Sequence, residues 1–404
     1  MRSKAVIAKR RVNQEFAERC TRADTDHEVT VTAATTQPRQ DHIAELDGLR
    51  AFAVISVMAT HLLVATPALT HASTGLPHAL DVIIGHGWLG VDMFFVLSGF
   101  LITNILLSTK HRAVAAYYGR FYQRRVLRIV PLYLTVLAAL AVAYIASVGP
   151  GYFLLCLAFA ANLAPLTNVA IPNGGGPLWS LAVEEQFYLV WPVLVLLLGR
   201  RTLIFVLAGI LLVEPVLRLV FATQPIELTW FRCDGLALGA VLALWWTSPR
   251  RTKALDDRLA IAFFVAAATL IACTIPFGGA REGPLSRATR IDEALCCFAG
   301  LLVYGTSHRG AHATAFLRSR FATVTADLSY CLYLIHVPLI DAYDAITTRY
   351  APAVFSRAPL EANLVRAVCV SLAAYGIAAI SRHYLELPFI NMGRVPSPSR
   401  AAST

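Results

Sequence analysis

Charge is scarce in this chain. Of its 404 residues only 15% are Asp, Glu, Lys or Arg, against 57% hydrophobic, where soluble domains carry about 25% charged residues. A water-soluble fold of this length cannot hide so much apolar surface. That excludes an ordinary soluble globular protein and a disordered chain alike. Metal-ligating spacings are also missing. The eight cysteines lie mostly in apolar stretches with no CxxC and no Cys/His pairing, so neither a metal site nor a disulfide framework is expected. There is no N-terminal apolar core at signal-peptide spacing, and no internal repeat of the kind that builds many secondary transporters. What remains is an all-α, polytopic integral membrane bundle whose apolar exterior is solvated by lipid.

The apolar stretches place that bundle along the chain. Residues 1–44 are polar and mixed in charge, and are expected to form a flexible cytoplasmic extension. A membrane domain over 45–394 and a short tail over 395–404 follow. A span needs roughly 20 residues to cross about 30 Å of hydrocarbon. About ten transmembrane helices are expected, near 49–66, 88–107, 129–147, 178–198, 202–221, 235–247, 259–275, 291–305, 326–340 and 362–381. The stretch 152–164 (YFLLCLAFAANLA) has only 13 residues and ends at Pro165; it predicts a re-entrant or interfacial segment.

The net charge of +10 reads first as topology and not as nucleic-acid affinity, because Lys and Arg accumulate in cytoplasmic loops. With 152–164 not crossing and the N-terminus inside, 27 basic residues fall inside and 6 outside; letting it cross gives 21 and 12. The first arrangement obeys the positive-inside rule. It places both termini in the cytoplasm, with the lipid bilayer as partner and no nucleic acid.

Ionisable residues within spans are costly and therefore candidates for function. His61 lies in the first span, eleven residues and so roughly 16 Å beyond Arg50. Asp92 (GWLGVDMFFVLSGFLIT) and Glu184 and Glu185 (PLWSLAVEEQFYLVWP) fall at similar depth on two further helices. A carboxylate hydrogen-bonded to an imidazole would fix its tautomer and make it a better base; a structural buried pair is the other reading. On the opposite side, YYGRFYQRRVLRIVPLY carries Arg125 and Arg128 at i, i+3 on one helix face. Their guanidinium forks suit phosphates, although topology anchoring or lipid headgroups would also account for them.

In chain order, the motifs ELDGLRAFAVISVMATH, GWLGVDMFFVLSGFLIT, RRVLRIVPLY, PLWSLAVEEQFYLVWP, FRCDGLALGAVLA, DLSYCLYLIHVPLI and LELPF resemble those of the bacterial membrane acyltransferase-3 family, which O-acylates sugars and related hydroxyl compounds. The resemblance runs from about Glu45 to about Arg394. It implies acyl-CoA as donor co-substrate, no bound cofactor, and a carbohydrate or glycoconjugate hydroxyl as acceptor. It also implies that His61 is the catalytic histidine and that Arg50, Arg125 and Arg128 are essential at the donor. Glu184 matches the Trp-Ser-Glu motif. Asp92, His336 and Glu386 match further motif positions with less defined roles, and Glu185 adjoins Glu184. With a short tail after Glu386, the expected form lacks a fused hydrolase-like domain.

The scheme that follows is direct transfer. His61 removes the acceptor's proton as its oxygen attacks the thioester, with Asp92 or Glu184 orienting the imidazole; Ser98 and Ser180 remain open as nucleophiles. The alternatives are a transporter or flippase for a glycosylated or acylated product, using the same buried charges as a pathway, and a non-catalytic scaffold.

Overall fold

The computed structural model describes residues 42–63, 85–274, 284–357 and 359–393. The expected extension (1–44) and tail (395–404) lie outside them, apart from residues 42–44. The described residues form helices and no strands. The main helices are α1 (Ala44–Leu63), α2 (Gly90–Thr109, entered through a 3-10 turn at Gly87–Leu89), α3 (Val114–Val148), α4 (Gly151–Leu157), α5 (Leu178–Leu197), α6 (Arg200–Val220), α7 (Cys233–Trp246), α8 (Lys253–Thr274), α9 (Pro284–Ser307), α10 (Arg320–Tyr350) and α11 (Pro359–Ser381). A π-type turn at Arg382–Glu386 leads from α11 into α12 (Leu387–Met392).

Each of the ten expected spans falls on one of these helices. By length and composition, seven helical stretches among the described residues can cross a bilayer: those at Ala44–Leu63, Gly87–Thr109, Val114–Val148, Leu178–Leu197, Arg200–Val220, Arg320–Tyr350 and Leu360–Met392. Helix α7 is apolar but only 14 residues long. Large apolar side chains stand uncovered on α3, α6 and α11, among them Val142, Phe205 and Leu372. Lipid, not water, is the solvent that accommodates such faces.

The 152–164 stretch does not form a span. Helix α4 has seven residues, about 10 Å of rise. Phe159 then takes a left-handed conformation (φ 51°), which is uncommon for a bulky residue and marks a tight reversal. Its ring stacks on Tyr133 at 4.9 Å, and its carbonyl accepts a hydrogen bond from the Gln186 amide at 2.9 Å. A 3-10 turn over Ala161–Leu166 follows.

Two sequence features bring the helices close enough to enclose a site. A Cβ at Gly99 would collide with the Leu236 backbone, and one at Gly239 with the Val96 backbone. The two glycines therefore let α2 and α7 pack backbone to backbone, as small residues do between membrane helices. Pro192 in α5 has no N–H, which leaves the Tyr188 carbonyl without its helical partner. The Tyr122 hydroxyl donates to that carbonyl at 3.3 Å and to Leu189 O at 3.2 Å, so the break is satisfied from α3.

Candidate active site: two cavities on one helix

Helix α1 carries both Arg50 and His61, and they open into different cavities. Arg50 lines the first, together with Arg125 and Arg128 from α3, Ser98 from α2 and Glu184 and Tyr188 from α5. His61 lines the second, a larger space of about 1060 Å³ bounded by Trp88, Trp179, the 171–177 loop and the end of α6. Val91 and Tyr333 line both, so the cavities adjoin across these two side chains. The rise of roughly 16 Å between Arg50 and His61 is thus a ruler from one cavity to the other.

The first cavity is cationic. Arg125 lies over the Tyr188 ring (4.9 Å to its centroid) and the Phe121 ring (5.8 Å), stacking that keeps the guanidinium fork oriented. Arg50 is 3.7 Å from Asp47. Glu184 accepts hydrogen bonds from Ser98 Oγ (2.9 Å) and the Tyr188 hydroxyl (3.1 Å). It therefore belongs to the arginine cavity and is not hydrogen-bonded to His61. Glu185 lines neither cavity. Glu386 is buried in the π-type turn, accepts from Ser381 Oγ at 3.4 Å and lies 3.5 Å from Arg382.

Asp92 also lies apart from His61. It is fully buried and forms an ion pair at 2.8 Å with Arg232, itself fully buried. The expectation that a carboxylate orients the histidine thus meets a different arrangement. Three helices carry the acid and base groups, but their rotation about their axes sends each group to a different neighbour.

The group that meets His61 is His336. His61 Nδ1 lies 3.0 Å from Val57 O and 3.3 Å from His336 Nε2, with ring centroids 5.0 Å apart. His336 Nδ1 lies 2.7 Å from Tyr333 O and 3.2 Å from Leu332 O. These contacts fix the protons. A carbonyl only accepts, so His336 Nδ1 carries hydrogen and the neutral ring leaves Nε2 as an acceptor. His61 Nδ1, facing Val57 O, must likewise be N–H and donates toward both Val57 O and His336 Nε2. Neutral His61 therefore keeps its lone pair on Nε2, the state a general base requires.

Tyr333 occupies the junction. Its hydroxyl is 2.6 Å from Ser180 Oγ and donates toward Pro177 O at 3.3 Å; its ring meets Phe94 edge-on at 5.9 Å. Sequence reasoning missed Tyr188, Tyr333 and Arg232. Tyr188 had a signal, since it stands one turn after Glu184. Arg232 had a weaker one: it is the only basic residue of the 222–234 loop.

Among the described residues no group of three or more His, Cys, Asp or Glu side chains is arranged to hold a metal. The class this defines is a polytopic helical membrane protein with a cationic cavity next to a histidine-bearing one. The chain belongs to the acyltransferase-3 family: the family, described as an acyltransferase domain, matches residues 43–383. It is similar to the peptidoglycan O-acetyltransferase OatA of Listeria monocytogenes, 26% identical over 89% of this chain and 57% of the relative. It is also similar to the putative peptidoglycan O-acetyltransferase YrhL of Bacillus subtilis, at 28% over 87% and 55%, and to the O-acetyltransferase OatA of Staphylococcus aureus, at 26% over 87% and 58%. The chain thus spans little more than half the length of these curated relatives. No solved structure matches it.

Proposed function

We propose that this chain is a membrane O-acyltransferase. It moves an acetyl or other short acyl group from acyl-CoA, bound in the arginine cavity on the cytoplasmic side of a bacterial inner membrane, to a hydroxyl of a sugar or glycoconjugate in the histidine cavity. The observation that carries the reading is one helix presenting Arg50 to one cavity and His61 to the next, with Tyr333 lining both. A donor with phosphates at one end and a thioester on a long arm fits that layout. Relatives named as peptidoglycan O-acetyltransferases support a glycan acceptor and acetyl as the acyl group.

In this reading Arg50, Arg125 and Arg128 engage donor phosphates through charge-assisted hydrogen bonds. The thioester carbonyl lies near the junction. His61 Nε2 takes the acceptor hydroxyl's proton as its oxygen attacks the carbonyl carbon; the C–S bond breaks and CoA leaves as thiolate, which takes up a proton. His336, not a carboxylate, receives the His61 Nδ1–H and holds the ring.

The test is acetyl-CoA turnover by the purified chain in lipid nanodiscs. The expected result is release of free CoA with acetyl appearing on an added glycan, abolished by His61→Ala at unchanged protein level. Acceptor-dependent CoA release that survives His61→Ala would overturn the mechanism. In sealed proteoliposomes of the same chain, movement of glycan across the bilayer without CoA release would favour a transporter.

A further inference from the structure

Arg232 has no role in the scheme above, and its surroundings are unusual. It caps the N-terminal end of α7. Its side chain is wholly buried and lies at the wall of the histidine cavity. Asp92 supplies a counter-charge to Nη2 at 2.8 Å, while Nε and Nη1 of Arg232 have no hydrogen-bond partner. Three rings also stand around the guanidinium, Trp179 at 5.2 Å and Trp88 and Phe95 at 5.7 Å. Buried polar groups are ordinarily satisfied, and orphaned charged donors are costly. This one is nonetheless held firmly in place. The 3-10 turn before it is fastened to α5 and to the Ala161–Leu166 turn: Asn162 donates to Thr229 Oγ1 at 2.8 Å, Gln186 donates to Asn162 Oδ1 at 2.9 Å, and Thr229 bonds back to Gln186.

We infer that Arg232 is an acceptor-binding residue whose unused N–H groups bind hydroxyl or amide oxygens of an uncharged saccharide. The inference rests on the proposed function in treating the histidine cavity as the acceptor's side. The charge of the walls selects the ligand class. Arg232 is matched by Asp92, and Arg218 by Asp234 at 2.5 Å and Asp292 at 2.8 Å, while Glu227 and Asp341 add negative charge. Arg290 adds a third cation to this wall, which the five carboxylates still outnumber, so the wall offers donors without surplus positive charge and favours polyhydroxylated neutral groups over carboxylates or phosphates. Trp88 and Trp179 are only partly buried and line the same cavity. They shield the guanidinium, and an indole that turns aside gives a sugar its edge.

The experiment titrates the full-length protein in nanodiscs with a neutral probe, tetra-N-acetylchitotetraose, and an anionic one, tetragalacturonate, following tryptophan fluorescence. Arg232→Lys keeps the charge opposite Asp92 and loses the fork. Chitotetraose is expected to bind saturably and more tightly than tetragalacturonate. Arg232→Lys should weaken it by at least about tenfold, the size of one or two charge-assisted hydrogen bonds, while Arg128→Ala in the other cavity leaves it unchanged. Binding of acetyl-CoA measured without acceptor should be unaffected by Arg232→Lys, which separates an acceptor role from a structural one. Should the lysine variant fail to fold, Asp92→Asn combined with Arg232→Gln removes both charges together and carries the same expectation. Unchanged chitotetraose binding in the variants, tighter binding of tetragalacturonate, or no saccharide binding by the unaltered chain would overturn the inference. Arg232-dependent binding in a protein that never releases CoA would instead remove the acyltransferase reading and leave the saccharide site standing.

Discussion

The two cavities use arginine in opposite ways. In the first, Arg50, Arg125 and Arg128 outnumber the carboxylates: Glu184 is occupied by Ser98 and Tyr188, and Asp47 stands 3.7 Å from Arg50. In the second, Arg218 and Arg232 are buried and each is matched by acid. Surplus cations near a surface attract polyanions over a Debye length and respond to salt. Matched, buried cations exert little long-range field and offer only short-range donors. Charge balance, more than residue identity, therefore separates a cavity suited to a phosphate-bearing donor from one suited to a neutral acceptor.

The sharpest way to break this division is at the helix the cavities share. His61→Ala removes the proposed general base and is expected to lower acetyl transfer by about 10²- to 10⁴-fold, with little change in donor binding measured separately. Arg125→Ala and Arg128→Ala should each raise the KM for acetyl-CoA by about 10- to 100-fold, from loss of a charge-assisted hydrogen bond worth roughly 1.5–3 kcal/mol, and should leave the KM for the glycan alone. Raising ionic strength should mimic those variants on the donor side only. An equal salt effect on both substrates would erase the contrast between the cavities.

Next in size is the histidine pair. His336→Phe keeps the ring volume but removes the acceptor for His61 Nδ1–H, although Val57 O still receives that proton. A loss of about tenfold in kcat is expected, the order of one hydrogen bond, with the KM for acetyl-CoA unchanged. His336→Gln, which can place an amide oxygen near the Nε2 position, should recover part of it. A merely structural histidine would show loss of folded protein and no preference for glutamine over phenylalanine.

The pattern of helices was largely legible in the sequence, because apolar runs of membrane length are a strong signal. All ten expected spans fall on helices, and the short 152–164 stretch turns back as its length implied. Helix α3 shows where that signal stops. It starts at Val114, 15 residues before the expected span, since its first turns carry the arginines that a hydropathy criterion discards. The site was legible in its residues and less so in its pairings. Arg50, Arg125 and Arg128 do share a cavity. Yet the sequence placed Asp92 and Glu184 beside His61 by depth alone, and depth leaves each helix's rotation undetermined. The side chain that meets His61 is 275 positions away in sequence, and no local spacing encodes such a contact.

The smallest expected effect concerns Ser98, and it decides between one chemical step and two. Ser98 lines the arginine cavity and donates to Glu184 at 2.9 Å, a hydroxyl beside a carboxylate such as an acyl-enzyme nucleophile would need. Two observations weigh against that role. The Tyr188 hydroxyl shares its single proton between Ser98 Oγ at 3.0 Å and Glu184 at 3.1 Å and so competes for the oxygen that would attack, and the imidazole suited to act as base lies in the other cavity. Under direct transfer Ser98→Ala removes a hydrogen bond to the Glu184 carboxylate that no reacting atom uses, the Tyr188 hydroxyl can still donate there, and activity should fall by no more than about fivefold, roughly 1 kcal/mol. Under an acyl-enzyme the same change removes the nucleophile and abolishes turnover. Mass spectrometry of the protein quenched after exposure to acetyl-CoA alone gives the independent reading: an unmodified Ser98 is expected, and an acetyl ester there would place a covalent step between the two cavities.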